Sequence, residues 1–221
     1  MNEKKILNYD ELDKLGRAQE ISRENEAELL KEITANVKKT LKKNNLVSLS
    51  APAVGYNKRV FCIDFSDSEI KTFINPVMVS SSELKLTTEV CSSLPGKEYL
   101  LPRHSEVDII YETPSGKIKT NTFKDVAAYV IQHEMDHLNG VTLEDIGLEI
   151  EDDFLSASDE DKQEIITMYL DSLESRQKAL QDVIDEDEEL KVLDQRLKFS
   201  EALAKGEVTF EHLDELVKQE E

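Results

Sequence analysis

Two histidines, His133 and His137, stand four residues apart, and Glu134 directly follows the first. Four residues is close to one helical turn, so on a helix both imidazoles lie on one face and can share a metal ion. A carboxylate beside the first ligand can take a proton from water at that ion and hand it to a leaving amine. Ala127, Ala128, Val130 and Ile131 precede the motif. They predict a buried helix and a site lined by hydrocarbon. The chemistry this pattern serves is hydrolysis assisted by a divalent cation. The bland counterpart is a surface helix with two unrelated histidines.

Two imidazoles require a third ligand. Glu160 or Glu164 in a later helix is one source; a nearby third histidine is not, since the only one after His137 is His212. Cys91, in Thr88-Glu89-Val90-Cys91-Ser92-Ser93-Leu94-Pro95-Gly96, is the better candidate. A thiolate with two imidazoles suits Zn²⁺ or Fe²⁺ and leaves a fourth position open. Cys91 also reads as a small buried hydrophobe. That reading is preferred for Cys62, inside the apolar run Val60-Phe61-Cys62-Ile63.

The elements that must position these residues follow from spacing. Leu29, Ile33, Val37 and Leu41 recur every four residues and predict a helix over Glu24–Lys43. Strands are expected at Leu46–Leu49, Arg59–Asp64, Lys71–Val79, Ser105–Glu112 and Lys117–Phe123, with Pro114-Ser115-Gly116 as a turn. The metal-ligand helix should run over Val126–Leu138 and stop before Gly140. Strands in the middle with helices before and after indicate an α+β fold rather than a βαβ alternation.

Charge divides the chain. Residues 144–221 hold 26 acids and 8 bases, against 21 acids and 19 bases in residues 1–143. We read residues 1–148 as a metal-binding domain and 149–221 as an acidic helical appendage. In the appendage a helix starts at Ser158, and Ile166, Leu170, Leu173, Leu180, Ile184 and Leu190 keep near-heptad spacing. The acidic run 185–189 is expected to interrupt it, and a last helix is expected over Thr209–Lys218. A net charge of -20 argues against direct nucleic-acid binding. It favours a basic protein partner, or self-association, through residues 149–221. No run of about 18 apolar residues exists and Met1–Asp10 has no apolar core, so neither a membrane span nor a secretory signal is expected, and a cytoplasmic location is.

From about Ile6 to about Gly147 the sequence resembles peptide deformylase. Ile6-Leu7-Asn8-Tyr9 is similar to the family's opening strand. Ser48-Leu49-Ser50-Ala51-Pro52-Ala53-Val54-Gly55 stands where the family has Gly-x-Ala-Ala-x-Gln. Glu89-Val90-Cys91-Ser92-Ser93 stands at its Glu-Gly-Cys-Leu-Ser, with Leu101-Pro102-Arg103 after it. Gln132-His133-Glu134-Met135-Asp136-His137-Leu138-Asn139-Gly140 is intact. The resemblance implies a deformylase-like fold with mixed or antiparallel sheets around a metal-binding helix. It implies one divalent ion, Fe²⁺ or Zn²⁺, on Cys91, His133 and His137, with Glu134 shuttling the proton and the Ser92 N–H helping to hold the oxyanion. The implied substrate is a formylmethionyl peptide or nascent-chain N-terminus, its side chain in an apolar pocket partly lined by Val126, Tyr129 and Val130.

The sequence departs from the pattern at four places. Ala53 replaces the glutamine that donates to the developing oxyanion, a loss that typically costs about 10²–10³ in rate. Val90 and Ser92 replace the residues flanking the cysteine. Ser48 replaces a glycine and is expected to narrow the cleft. The expected function is therefore N-formyl hydrolysis at reduced or altered activity. The alternatives are a catalytically impaired binding or inhibitory protein acting through its acidic surface, and another amide hydrolase on the same scaffold. Arg103 is expected either to brace the metal loop through Glu89 or to bind the peptide backbone.

Overall fold

The computed structural model describes residues 4–65 and 69–186. Helices α1 (Tyr9–Asp13) and α2 (Ala27–Lys43) come first. Strand β1 (Ser48–Ser50), a 3-10 turn (Pro52–Val54), β2 (Val60–Ile63), β3 (Lys71–Ser81), β4 (Leu84–Val90), β5 (Glu98–His104), β6 (Glu106–Glu112) and β7 (Ile118–Lys124) follow. Then come α3 (Val126–Leu138), α4 (Leu143–Ile146), β8 (Leu148–Glu149), α5 (Asp152–Ser156) and α6 (Asp159–Glu186). The class is α+β.

The strands make a five-stranded sheet, β1-β2-β3-β6-β7, and a three-stranded sheet, β4-β5-β8. Every ladder is antiparallel, and the parallel element is a single bridge between Gln19 and Lys58. The second sheet grows out of the first. β5 passes into β6 at Ser105, while β3 passes into β4 through Ser82 and Glu83. Across this corner the Ser82 N–H donates to the Glu106 carbonyl, and the Ser105 N–H to the Glu83 carbonyl. The sequence reading does not include β4 and β5. Leu84, Leu86 and Val90 leave β4 with one apolar side in solvent, and Pro102 stands inside β5, where proline normally argues against a strand. Pro102 is opposite Leu86 of β4.

Helix α2 begins three residues later than its periodicity suggests. The Glu26 carboxylate accepts from the Ser22 N–H and pairs with Lys58, which fixes the approach to the first turn. The buried face is Leu30, Ile33, Val37 and Leu41, not Leu29, which only packs at its edge. Against β1 and β2 these residues form one core cluster. Each fully buried aliphatic side chain contributes on the order of 1.5–3 kcal/mol.

Helix α3 packs on the other large cluster, in which Ala128, Ile131, Met135 and Leu138 meet Phe61, Phe73, Val107 and Ile109. It stops where its sequence predicts. Gly140 has φ 76°, and a Cβ there would come within 2.7 Å of the Gly16 backbone, so neither the conformation nor the space admits a side chain. Arg59 closes the same end from below. Its buried guanidinium donates to the Leu138 carbonyl at 3.1 Å and to Asn139 Oδ1 at 3.0 Å, a cation set against the negative end of the helix.

The chain divides into two compact units, one reaching Leu155 and the other beginning at Ser156. Leu148 and Glu149 pair with Leu100 and Tyr99 of β5, which holds this stretch in the first unit. In the second unit Ser158 caps α6 by accepting from the Asp161 N–H at 3.1 Å. The helix continues through Asp185 and Glu186. Asp187–Glu189, Leu190, His212 and the helix expected over Thr209–Lys218 lie outside the described residues.

Candidate metal centre

The helical spacing of α3 turns His133, Glu134 and His137 toward one cavity of about 640 Å³, and Cys91 comes to it from the turn after β4. Cys91 Sγ lies 3.3 Å from His137 Nε2, and the two imidazole Nε2 atoms are 3.2 Å apart. All three ligand atoms fall within 4.8 Å of one another. Metal–ligand bonds of about 2.0–2.3 Å place tetrahedral donors roughly 3.3–3.7 Å apart, so these separations bracket what one ion requires. Among the described residues this is the group of histidine, cysteine and carboxylate donors that could hold a metal. Glu160 and Glu164 stand on α6 and are not part of it.

The two imidazoles are pushed in opposite directions. His133 is raised to about 10: burial opposes this, and the contacts with Cys91, Glu89 and Glu134 outweigh it. His137 is pushed down to about 3, by burial first and then by the charge on His133. Two imidazoles aimed at one point compete for a single proton. One sulfur and two imidazole nitrogens converging on one point are a donor set that fits a divalent metal ion.

Each ligand is itself held. His133 Nδ1 donates to Glu89 Oε2 at 2.9 Å, which leaves Nε2 free to face the cavity. Arg103, nearly fully buried, grips Glu89 through Nε at 2.8 Å and Nη2 at 3.0 Å, and reaches Asp136 Oδ2 through Nη1 at 2.5 Å. Of the two roles open to Arg103 in the sequence, this geometry is the bracing one. Burial works to raise Glu89, but its bonds from His133 and Arg103 prevail and hold it at about 2. Glu89 thus stays ionised and ties β4 to the ligand helix. Gln132 makes a second tie. Its amide donates to the His104 carbonyl at 2.8 Å and accepts from the His104 N–H at 3.0 Å, clamping α3 to the end of β5.

Glu134 is 3% exposed. Burial raises its pKa, against the effects of His133 and of the Ser48 and Ser50 hydroxyls. Ser48 Oγ donates to Glu134 Oε1 at 2.6 Å, while Oε2 is buried with no hydrogen-bond partner among the described residues. Ser48 therefore turns onto the carboxylate, where the sequence reading had it only narrowing the cleft. The cavity wall also includes Ala53, Ser92, Val126, Tyr129 and Val130. Val90 is 70% exposed at its rim. Cys62 is buried, contacts Thr72 and stands outside the site.

Sequence reasoning missed Arg59 and the Ser48–Glu134 contact, and placed Gln132 in the motif without a role. The first two depend on contacts 79 and 86 residues distant in the chain, for which no local pattern exists.

A model of the polypeptide deformylase family matches residues 3–147. The peptide deformylase of Dictyoglomus thermophilum is 34% identical over 122 residues, 55% of this chain and 79% of that protein. Peptide deformylase 2 of Nostoc sp. is 31% identical over 138 residues, 58% of this chain and 75% of its own. Among solved structures, that of Thermotoga maritima peptide deformylase is similar with a TM-score of 0.60 at 27% identity, covering 66% of this chain and 97% of that one. A Synechococcus elongatus peptide deformylase in complex with actinonin gives 0.58 at 28% identity, covering 63% and 75%. These likenesses favour the hydrolase over the impaired binding or inhibitory module. Among the described residues no helix is long and apolar enough to cross a membrane.

Proposed function

The chain belongs to the polypeptide deformylase family, and from that premise we propose that Cys91, His133 and His137 hold one divalent ion, Fe²⁺ or Zn²⁺, at which the N-formyl group of a formylmethionyl peptide or nascent chain is hydrolysed. The observation that carries this reading is the meeting of the three donor atoms within 4.8 Å on the wall of a cavity that Glu134 also lines. Both ions accept this ligand set. When bound, the ion supplies Lewis acidity to the formyl carbonyl and makes water more acidic.

The protein's own groups do the rest. Oε2 of Glu134, which no side chain among the described residues engages by a hydrogen bond, takes a proton from the attacking water and returns it to the peptide nitrogen as the C–N bond breaks. The backbone N–H of Ser92, next to Cys91, is the donor we assign to the developing oxyanion. Val126, Tyr129 and Val130 give the methionine side chain an apolar wall. Glu89 and Arg103 keep the ligands aimed. Ala53, where the family has a glutamine amide, leaves the oxyanion one donor short, and we infer a reduced rate from it. The acidic residues 149–221 suit a basic protein partner or self-association.

The test is to purify the chain anaerobically, count its metal, and measure formate release from formyl-Met-Ala. Close to one metal per chain is expected, with turnover that Glu134→Ala abolishes without loss of metal. Ala53→Gln, whose longer side chain has the cavity to enter, is expected to raise kcat by about tenfold or more. One metal per chain with no formate from the wild type or from Ala53→Gln would overturn the reading.

A further inference from the structure

Glu134 has two carboxylate oxygens in different situations. Oε1 accepts the Ser48 hydroxyl at 2.6 Å, and Oε2 has no hydrogen-bond partner among the described residues. Ser48 is the first residue of β1, whose register is fixed by Ile63 opposite it on β2. It faces the same cavity as Glu134. We propose that Ser48 is the positioning residue of this site: its hydroxyl pins Oε1 so that Oε2 alone carries the proton between water and the leaving nitrogen. The inference deepens, and rests on, the hydrolytic reading given above.

The argument is one of geometry. A glutamate side chain has three rotatable torsions, and a carboxylate that must collect a proton at one point and release it at another works best in one orientation. The two neighbouring residues on its helix, His133 and Met135, cannot restrain it through their backbone, whose groups are engaged in the helix. The hydroxyl of Ser48 has a single proton and donates it to Oε1, so it is not at the same time a donor to the oxyanion. It cannot stand in for the amide absent at Ala53. A glycine at position 48 would leave Oε1 without this bond. In this chain the strand supplies an orienting group for the helix-borne carboxylate.

The test uses the full metal-loaded chain and formyl-Met-Ala-Ser. Ser48→Ala is expected to lower kcat on the order of 10- to 100-fold, the effect of one hydrogen bond to a charged group, with KM and metal content unchanged. Ser48→Thr, which restores a hydroxyl, is expected to recover most of the loss. An unchanged kcat in Ser48→Ala, or a loss that Ser48→Thr does not recover, overturns the proposal. Crystal structures of the wild type and Ser48→Ala give a readout independent of turnover. If the wild type releases no formate, the hydrolytic reading fails, yet a Glu134 carboxylate ordered in the wild type and displaced in Ser48→Ala still upholds the positioning role. An identical Glu134 in both structures sinks it.

Discussion

The two cysteines of this chain are both buried, yet their surroundings give them different chemistry. Cys62 lies among β-strand side chains at 0% exposure, and burial pushes its thiol up to about 11. Below that pH it is neutral and unreactive, since only the thiolate is nucleophilic. Cys91 lies on the wall of an open cavity beside two imidazoles. We expect iodoacetamide at pH 8 to modify Cys91 once the metal is chelated and to leave Cys62 untouched until the chain is unfolded, as peptide mass mapping would read. Labelling of Cys62 in the native protein would contradict the packing around it. At this scale the sequence was informative wherever chemistry is local. His133, Glu134 and His137 share a helical turn, and their meeting needs only helix geometry. Cys91 could be named as a candidate but not placed, because its approach depends on the β4–β5 hairpin.

That hairpin shows why elements were less legible than residues. A strand with one side in solvent and a proline in its partner has neither the alternation nor the composition that marks a buried sheet. The ions it carries tie it to the ligand helix: the side chains of Glu89 on β4 and Arg103 on β5 bond each other and join Asp136 and His133 on α3. Helix α3, by contrast, was readable from end to end. Its entry carries a cost that only the backbone reveals. Asp125 has φ 48° and ψ -129°, a region costly for a side-chain-bearing residue, and its carboxylate makes no capping bond. Its backbone is what the fold uses, donating to the Ser105 carbonyl and accepting from the Tyr129 N–H. Asp125→Gly keeps both bonds and should stabilise the protein by about 1 kcal/mol, the relief of strain less the extra freedom of glycine when unfolded. Urea denaturation of the metal-loaded protein would show it, and a lower midpoint would mean that the aspartate contributes something its geometry does not suggest.

For the molecule as a whole, charge and topology tell the same story of division. The excess of acids begins close to where the first compact unit ends at Leu155, and every residue assigned to the site falls before that point. We therefore expect a chain ending after Ser156 to keep its metal and its kcat/KM for formyl-Met-Ala. Loss of either would mean that the acidic segment contributes to the site after all. Within the first unit early and late segments are bound together. The Ala18 N–H donates to the Leu138 carbonyl, Gly16 is pressed against Gly140, and the buried Arg59 takes two of its acceptors from Leu138 and Asn139. These contacts join residues roughly 80 to 120 positions apart, a separation that makes folding slow. The early segment makes some of its bonds with residues soon after it, as Leu7 does with Ala53 and Arg59 with Gln19 and Pro76, but completes them only with residues 138–140. The unit is thus fastened last by its metal-ligand helix, whose C-terminal end closes contacts left open by segments about 80 to 120 residues earlier.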